Sequence, residues 1–359
     1  MLYDWIISLP MMICLFWVLF FGVRLFRGDD EPRVKITILL FYIASTILYT
    51  NHWLYFSNAE TTIGAWAYII ANLSVYPLYY SYLLALTRTH SAYELVILFI
   101  PAFAIAVFFP LNQYYSWTEQ KYILIVARIC FAIQVIWVWI RGFQLLRDTQ
   151  RRMDNTYTDD RSYLLQPSHL LLLLISITAF FSMLLNMLGR DVFDGSLLVA
   201  IPAIMMSVLL FSLGYVAAHT TLPQETVVPE EVEQEDRATT AETDELMYKI
   251  ATVLREKQLF ADSHLTIQDL ASAVCSNRTY VSNCINRRTG LSFSQYVARY
   301  RIEHAKQILQ NPKYTSDHEA IADAIALSGF STEQNFYRVF KEIAGVTPLR
   351  YRQQNKSKA

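Results

Sequence analysis

Seven apolar runs fill the first 218 residues of this 359-residue chain: Trp5–Val23, Ile36–Phe56, Ile63–Leu86, Tyr93–Pro110, Tyr122–Ile140, His169–Leu188 and Ser196–Ala218. A bilayer core is crossed by a helix of about 20 such residues. Hydrocarbon offers no partner to backbone N–H and C=O groups, so a spanning segment of this kind must satisfy them within itself, as a helix. Buried helices of a soluble domain are shorter, about 11–12 residues on average, and seven long ones in succession set that reading aside. The chain is 54% hydrophobic, and all seven Trp precede residue 141. Residues 1–218 are therefore predicted to be a polytopic helical membrane domain of about seven spans.

Lys and Arg placement gives the expected orientation. With the N-terminus outside, the inner loops 24–35, 87–92 and 141–168 carry ten basic residues. The outer loops carry two, Lys121 and Arg190. Cytoplasmic loops are enriched in Lys and Arg, so the C-terminus is expected in the cytoplasm of a bacterial inner membrane. The outer loops are short, and any sensing falls to the membrane region itself. Arg128, Asn72 and Asn186 lie within spans and are the candidate signal-sensing residues, because polar groups at membrane depth are costly. Asn51, His52 and Gln134 share that placement; hydrogen bonding between helices is the plainer account of all the amides, and snorkelling to the interface is the plainer account of Arg128.

No HExxH, P-loop or GxSxG pattern and no paired carboxylates occur in a convincing context, so neither an enzyme nor a cofactor is expected. The four Cys (14, 130, 275 and 284) form no CxxC and have no metal-ligand spacing with His; no metal site is expected. Residues 219–245 carry nine acids, one Arg and two Pro. That composition resists a packed core and reads as an acidic flexible linker. Such a tether transmits little torque, so signalling is expected to work through association with a second copy. Leu246–Phe260 then reads as a helix that packs on the C-terminal region or on that second copy.

From Leu265 to Arg352 the pattern changes to short amphipathic helices with turn signals. Thr266 and Asp269 form a capping-box start; Leu270, Ala271 and Val274 share a face; Cys275-Ser276 is the turn; Asn277 is an N-cap. The next helix points Val281, Cys284 and Ile285 inward and ends at Gly290. Outward it shows Arg278, Thr279, Ser282 and Asn283, with Arg287 and Arg288 at its end. A connecting helix comes next. A second unit then repeats the plan: Ile321, Ala324 and Ile325 inward, Gly329 at the turn, Ser331 as cap with Gln334, and Phe336, Val339 and Phe340 inward. Its outward set is Thr332, Glu333, Asn335 and Arg338, with Lys341 beyond. A polar helix face backed by an apolar one suits readout of base edges in a major groove. Residues 246–359 carry 16 Lys/Arg against 9 Asp/Glu, the charge surplus that phosphate binding uses. These outward residues, from Asn277 to Lys341, are the candidate DNA-binding set.

Leu265–Arg352, about a quarter of the chain, resembles the AraC/XylS-type DNA-binding domain. Gly329-Phe330, Phe336, Arg338, Phe340-Lys341, Gly345, Thr347-Pro348 and Tyr351-Arg352 carry the resemblance, with Leu270-Ala271, Tyr280, Gly290, Arg301, Ala305 and Leu309 before them. Cys275 departs from it, standing where the family usually has Gly, and so do Asn283, where Arg is common, and Ala324-Ile325, which reverses the usual pair. The resemblance implies double-stranded DNA as partner, with RNA polymerase and a second copy of the chain as further ones. The whole is expected to be an all-α, membrane-bound one-component transcription regulator: membrane sensor 1–218, linker 219–245, DNA-binding domain 246–359, bound to the bilayer and responsive to an unknown ligand. The alternative is a transporter or receptor-like protein with an accessory DNA-binding domain.

Overall fold

The computed structural model describes residues 2–26, 32–89, 91–115, 120–158, 166–188, 199–219 and 240–356. The chain forms two compact units, one of residues 1–147 with 164–222, the other of residues 148–163 with 223–359. The described residues are helical throughout, apart from turns and one isolated bridge.

The first unit contains α1 (Leu2–Phe26), α2 (Pro32–Phe56), α3 (Thr62–Leu86), α4 (Ala92–Tyr115), the greater part of α5 (Gln120–Thr156), α6 (Gln166–Leu188) and α7 (Ala200–His219). All seven are long and apolar enough to cross a membrane, in agreement with the runs read from the sequence. Helix α3 is the inner one: 67% of its apolar window is buried, against 28–33% for the other six. The outer surface is apolar, with Phe26, Phe103, Ile133 and Ile201 all more than 60% exposed. A soluble fold hides such residues; a lipid-facing one displays them.

Polar groups inside this unit are mostly tied to backbone. Gln134 Nε2 donates to the Leu98 carbonyl at 2.6 Å, and Tyr42 Oη to the Leu210 carbonyl at 2.9 Å. Asn51 Nδ2 donates to Ile47 O at 2.8 Å. At one end of α4, buried Glu94 accepts from Tyr80 Oη at 2.6 Å and pairs with Arg141. For Gln134 the structure therefore supplies the interhelical role anticipated for it, whereas Asn51 bonds within its own helix.

Helix α5 runs 37 residues, about 55 Å at 1.5 Å per residue, well past the apolar run that ends at Ile140. Its last turns, from Asp148, belong to the second unit. The rest of that unit is α8 (Thr240–Glu256), a 3₁₀ turn at Leu259–Ala261, α9 (Ile267–Ala273), α10 (Arg278–Thr289), α11 (Phe293–Gln310), α12 (Asp317–Leu327), α13 (Glu333–Ala344) and α14 (Pro348–Lys356). Helix α8 starts six residues before the expected end of the linker. Glu242, Asp244 and Glu245 lie near its N-terminus, where acids favour the helix dipole. Lys249 Nζ bridges Glu245 at 2.7 Å, which holds that carboxyl below its usual range. The remainder of the expected linker, 220–239, lies outside the described residues.

Two cores share α11. Leu246, Ile250 and Leu254 of α8 join Leu270, Val281, Ile285, Phe293 and Val297 in the first. Helix α8 therefore packs on the helix-turn-helix region, one of the two positions its sequence allowed. Ile302, Ala305 and Leu309, further along α11, join Ala320, Ala324, Phe336 and Phe340 in the second.

Candidate nucleic-acid interface

The first helix-turn-helix is α9, a turn at Val274–Ser276, and α10. Thr266 Oγ1 accepts from the Asp269 amide at 3.2 Å while Asp269 accepts from the Thr266 amide at 2.9 Å, a complete capping box. Cys275 makes the turn at φ 55°, the left-handed region that glycine adopts without cost; its amide still bonds Ser272 O at 3.2 Å. Asn277 caps α10 by accepting from Tyr280 N at 2.6 Å, and Gly290 ends it at φ 68°.

The second is α12, a turn through Ser328-Gly329, and α13. Gly329 sits at φ 82°. A Cβ there would lie 2.5 Å from the Phe260 carbonyl oxygen and 2.7 Å from that of Ala261. Glycine is required on both counts. The cap of α13 is Thr332, with φ −139° and its hydroxyl accepting from Asn335 N at 3.2 Å. The expected cap, Ser331, lies one residue too early, because Thr332 is the last residue in extended conformation before the helix begins. Gly345 closes α13 at φ 74°.

Two buried arginines brace these units from within. Arg301 of α11, 0% exposed, donates from Nε to Phe260 O at 2.7 Å and from Nη2 to Asp262 O at 2.7 Å. It also reaches Thr158, donating to its carbonyl at 3.2 Å and to its hydroxyl at 2.9 Å. Thr158 lies just beyond α5, and its amide and hydroxyl donate to Leu265 O at 3.3 and 2.8 Å. Beside it, Tyr157 bridges Thr266. Arg352 of α14, 1% exposed, donates from Nε to Asp317 at 2.8 Å and from Nη1 to Leu309 O at 2.6 Å, and also bonds Tyr314 O. Both positions carry the family resemblance, and both act in architecture. Their side-chain type marks them as surface residues; only the helical register of Arg301, on the face of Ile302 and Ala305, hints otherwise.

With the cores filled, the candidate contact residues fall on the outer faces. Arg278, Thr279, Ser282 and Asn283 of α10 are half-buried, and Arg287 is exposed beyond them. Asn277 is outward too, but its side-chain oxygen is engaged in the cap, which leaves its NH₂ group. Arg288 pairs with Asp244 of α8, so part of its charge is already countered. On α13, Glu333, Arg338 and Lys341 are exposed and Asn335 is half-buried; Thr332 offers a hydroxyl already engaged as an acceptor. Arg338 donates to Asn335 Oδ1 at 3.0 Å and to Glu342 at 3.3 Å. These are exposed bonds, worth little in water and readily exchanged for a base or phosphate.

The two described candidate sensing residues, Asn72 and Arg128, are not brought together. Asn72 on α3 is half-buried, facing the interior of the first unit, whereas Arg128 is exposed on α5 among Ile125, Val126 and Ile129. The side chain of Asn186 lies outside the described residues.

Residues 270–354 match the family described as "Helix-turn-helix domain". Among curated proteins, the chain is 35% identical over 96 residues to the uncharacterized HTH-type transcriptional regulator YtdP of Bacillus subtilis, covering 27% of this chain and 12% of that one. It is 31% identical over 91 residues to the melibiose operon regulatory protein of Escherichia coli K12, covering 25% and 28%. The Msm operon regulatory protein of Streptococcus mutans is 28% identical over 92 residues, covering 26% and 31%. The chain thus spans less than a third of these relatives' length. No solved structure matches.

Proposed function

We propose that this chain, whose C-terminal region is an AraC-type helix-turn-helix domain, is a membrane-bound one-component transcription regulator: the seven-helix unit senses a signal and the C-terminal unit binds promoter DNA. One observation carries the reading. A single chain joins two helix-turn-helix units with outward polar faces to a unit whose seven long helices display apolar side chains on their outer surface. Lys and Arg placement orients the bundle with its N-terminus outside and the DNA-binding unit in the cytoplasm.

In this reading α10 and α13 are the recognition helices. Base readout falls to Arg278, Thr279, Ser282, Asn283, Asn335 and Arg338, with Glu333 and the remaining NH₂ of Asn277 at the helix starts. Arg287, Lys341 and the partly countered Arg288 are directed at phosphate. Helix α11 holds the two units apart by its 18 residues, about 27 Å, on the scale of the roughly 34 Å between successive major-groove faces. One chain then reads two adjacent turns, and a second copy extends the site. RNA polymerase is the partner through which a bound regulator acts.

The test is genome-wide mapping of DNA bound by the tagged full-length chain, with membrane fractionation of the same cells. Discrete bound sites, together with protein that resists extraction from membranes at alkaline pH, are expected. Diffuse DNA binding, or release of the intact chain into the soluble fraction, overturns the reading.

A further inference from the structure

The first unit contains a two-lobed cavity between α1, α2, α3, α6 and α7. The outer lobe has a cavity volume of about 80 Å³ and the inner about 40 Å³. The two adjoin, since Leu48, Tyr49, Asn72, Ser182 and Met206 line both. The outer lobe lies where the start of α1, the end of α2, the start of α3, the end of α6 and the start of α7 meet, at one end of the bundle.

Three polar groups in this space are uncommitted. Ser45, 1% exposed, lines the inner lobe and its hydroxyl has no hydrogen-bond partner. Tyr49 stands one turn along α2, and Asn72 faces it from α3; both are half-buried, and neither side chain bonds another described residue. Ser45, Tyr49, His52 and Phe56 are spaced 4-3-4, so one face of α2 looks into the cavity along its length. Elsewhere on α2, Thr46, Thr50 and Asn51 turn their hydroxyls and amide onto the backbone. An unmet polar group in a membrane-depth interior is costly, and Ser45, with Tyr49 and Asn72 beside it, marks a place where something else supplies the partner.

The lining also sets the chemistry. Among the described residues it holds no Lys, Arg, Asp or Glu, and His52 is its one imidazole. A carboxylate, phosphate or ammonium in such a space lacks a counter-charge and bears the full cost of leaving water. The remaining wall is apolar and aromatic, including Phe56, Val199 and Met206 in the outer lobe and Phe41, Val75 and Leu210 in the inner.

We propose that this cavity binds an uncharged, lipid-soluble small molecule bearing a hydroxyl or carbonyl head, with the head hydrogen-bonded among Ser45, Tyr49 and Asn72 and the apolar body along the outer lobe. That this molecule is the regulator's input rests on the function proposed above; the binding itself does not.

The test uses the full-length chain in nanodiscs of phosphatidylethanolamine and phosphatidylglycerol, photolabelled with a diazirine-bearing decanol. Unlabelled decanol, 2-decanone, decane and decanoate serve as competitors. Labelling is expected on α2 and α3 peptides, suppressed by decanol and 2-decanone and little affected by decane or decanoate. Tyr49→Phe removes a single hydroxyl, and Asn72→Leu the amide at similar volume; each is expected to weaken competition by decanol by about tenfold, the order of one lost hydrogen bond. Labelling spread over the lipid-facing residues of α4 and α5, or decane competing as well as decanol, overturns the proposal, the latter meaning that lipid chains merely fill the space. A promoter reporter read in parallel separates the two readings. Site-specific labelling without a transcriptional response keeps the site and removes its role as input.

Discussion

Replacing Gly329 with alanine loads two separate costs on one turn. At φ 82° an L-residue is in the left-handed region, which costs about 1–2 kcal/mol. Reduced freedom of the unfolded chain returns about 0.4–1 kcal/mol of that. The new Cβ also meets two backbone oxygens, of Phe260 at 2.5 Å and of Ala261 at 2.7 Å; neither is the end of a flexible side chain. Forced overpacking of this kind costs about 1–3 kcal/mol. The net expectation is destabilisation of the second helix-turn-helix by about 2–3 kcal/mol. Hydrogen exchange of the full chain in detergent micelles, read by mass spectrometry on α12 and α13, should then lose protection roughly 30- to 150-fold. Cys275 occupies the corresponding turn of the first unit at φ 55°, exposed and without glycine's freedom. Cys275→Gly should shift α9 and α10 the opposite way, by about 0.5 kcal/mol of added stability. Unchanged protection in Gly329→Ala, or weaker protection in Cys275→Gly, would refute the assignment of strain to these two turns.

The remaining predictions concern the other contacts. Thr158→Val deletes the hydroxyl that accepts from Arg301 and donates to Leu265 O; about 2–3 kcal/mol should be lost, read as faster exchange in α9 and in the first turns of α11. Arg287→Ala and Lys341→Ala should weaken binding to all DNA sequences alike and flatten its salt dependence by about one unit of slope each, measured by fluorescence anisotropy. Arg288→Ala should flatten it less, since Asp244 already counters that charge. Thr279→Ala and Asn335→Ala should each relax preference at one operator position by about 1–3 kcal/mol; a binding-site selection that leaves both preferences intact refutes the docking. Reporter fusions after Phe56, Gln113 and Asp191 should report outside the cytoplasm and those after Asp30 and Asp154 inside; the reverse pattern removes the DNA-binding role.

Helix placement in both units was legible wherever one residue type served one purpose. Long apolar runs gave α1 to α7, because length and composition suffice for a helix in hydrocarbon. Thr266, Asn277 and Gly290 marked helix ends, because capping is chemistry between near neighbours. The extension of α5 past Ile140 was not legible from hydropathy: Arg141–Thr156 is polar, so a search for apolar length stops before it. The start of α8 was hidden by its acids, which suit a solvated tether and a helix N-terminus equally well. Ser331 and Thr332 are both competent caps, and the sequence does not distinguish them; the helix begins so that Thr332 is the one used. Arg301 was least legible. Its partners, Phe260, Asp262 and Thr158, lie 39 to 143 residues away, and nothing local in the sequence signals their convergence. The cavity escaped for the same reason: Asn72 stood out as a polar residue in a span, but its companions Ser45 and Tyr49 become a group only when α2 and α3 pack.

The bonds between Thr158 and Arg301 mean that the helix-turn-helix module is not a cassette that can be cut from the gene at one point. A transplant of residues 246–359 alone would carry the helix-turn-helix pair but leave behind the short piece, encoded about ninety codons upstream, that covers the Arg301 guanidinium and the Leu265 carbonyl. Such a hybrid is expected to need a surrogate for Tyr157-Thr158, added as a peptide or grafted onto its N-terminus, before it matches the native unit in stability. Recombination between chains of this architecture is constrained in the same way, since an exchange of the last domain succeeds only when the Tyr157-Thr158 segment travels with it or already fits.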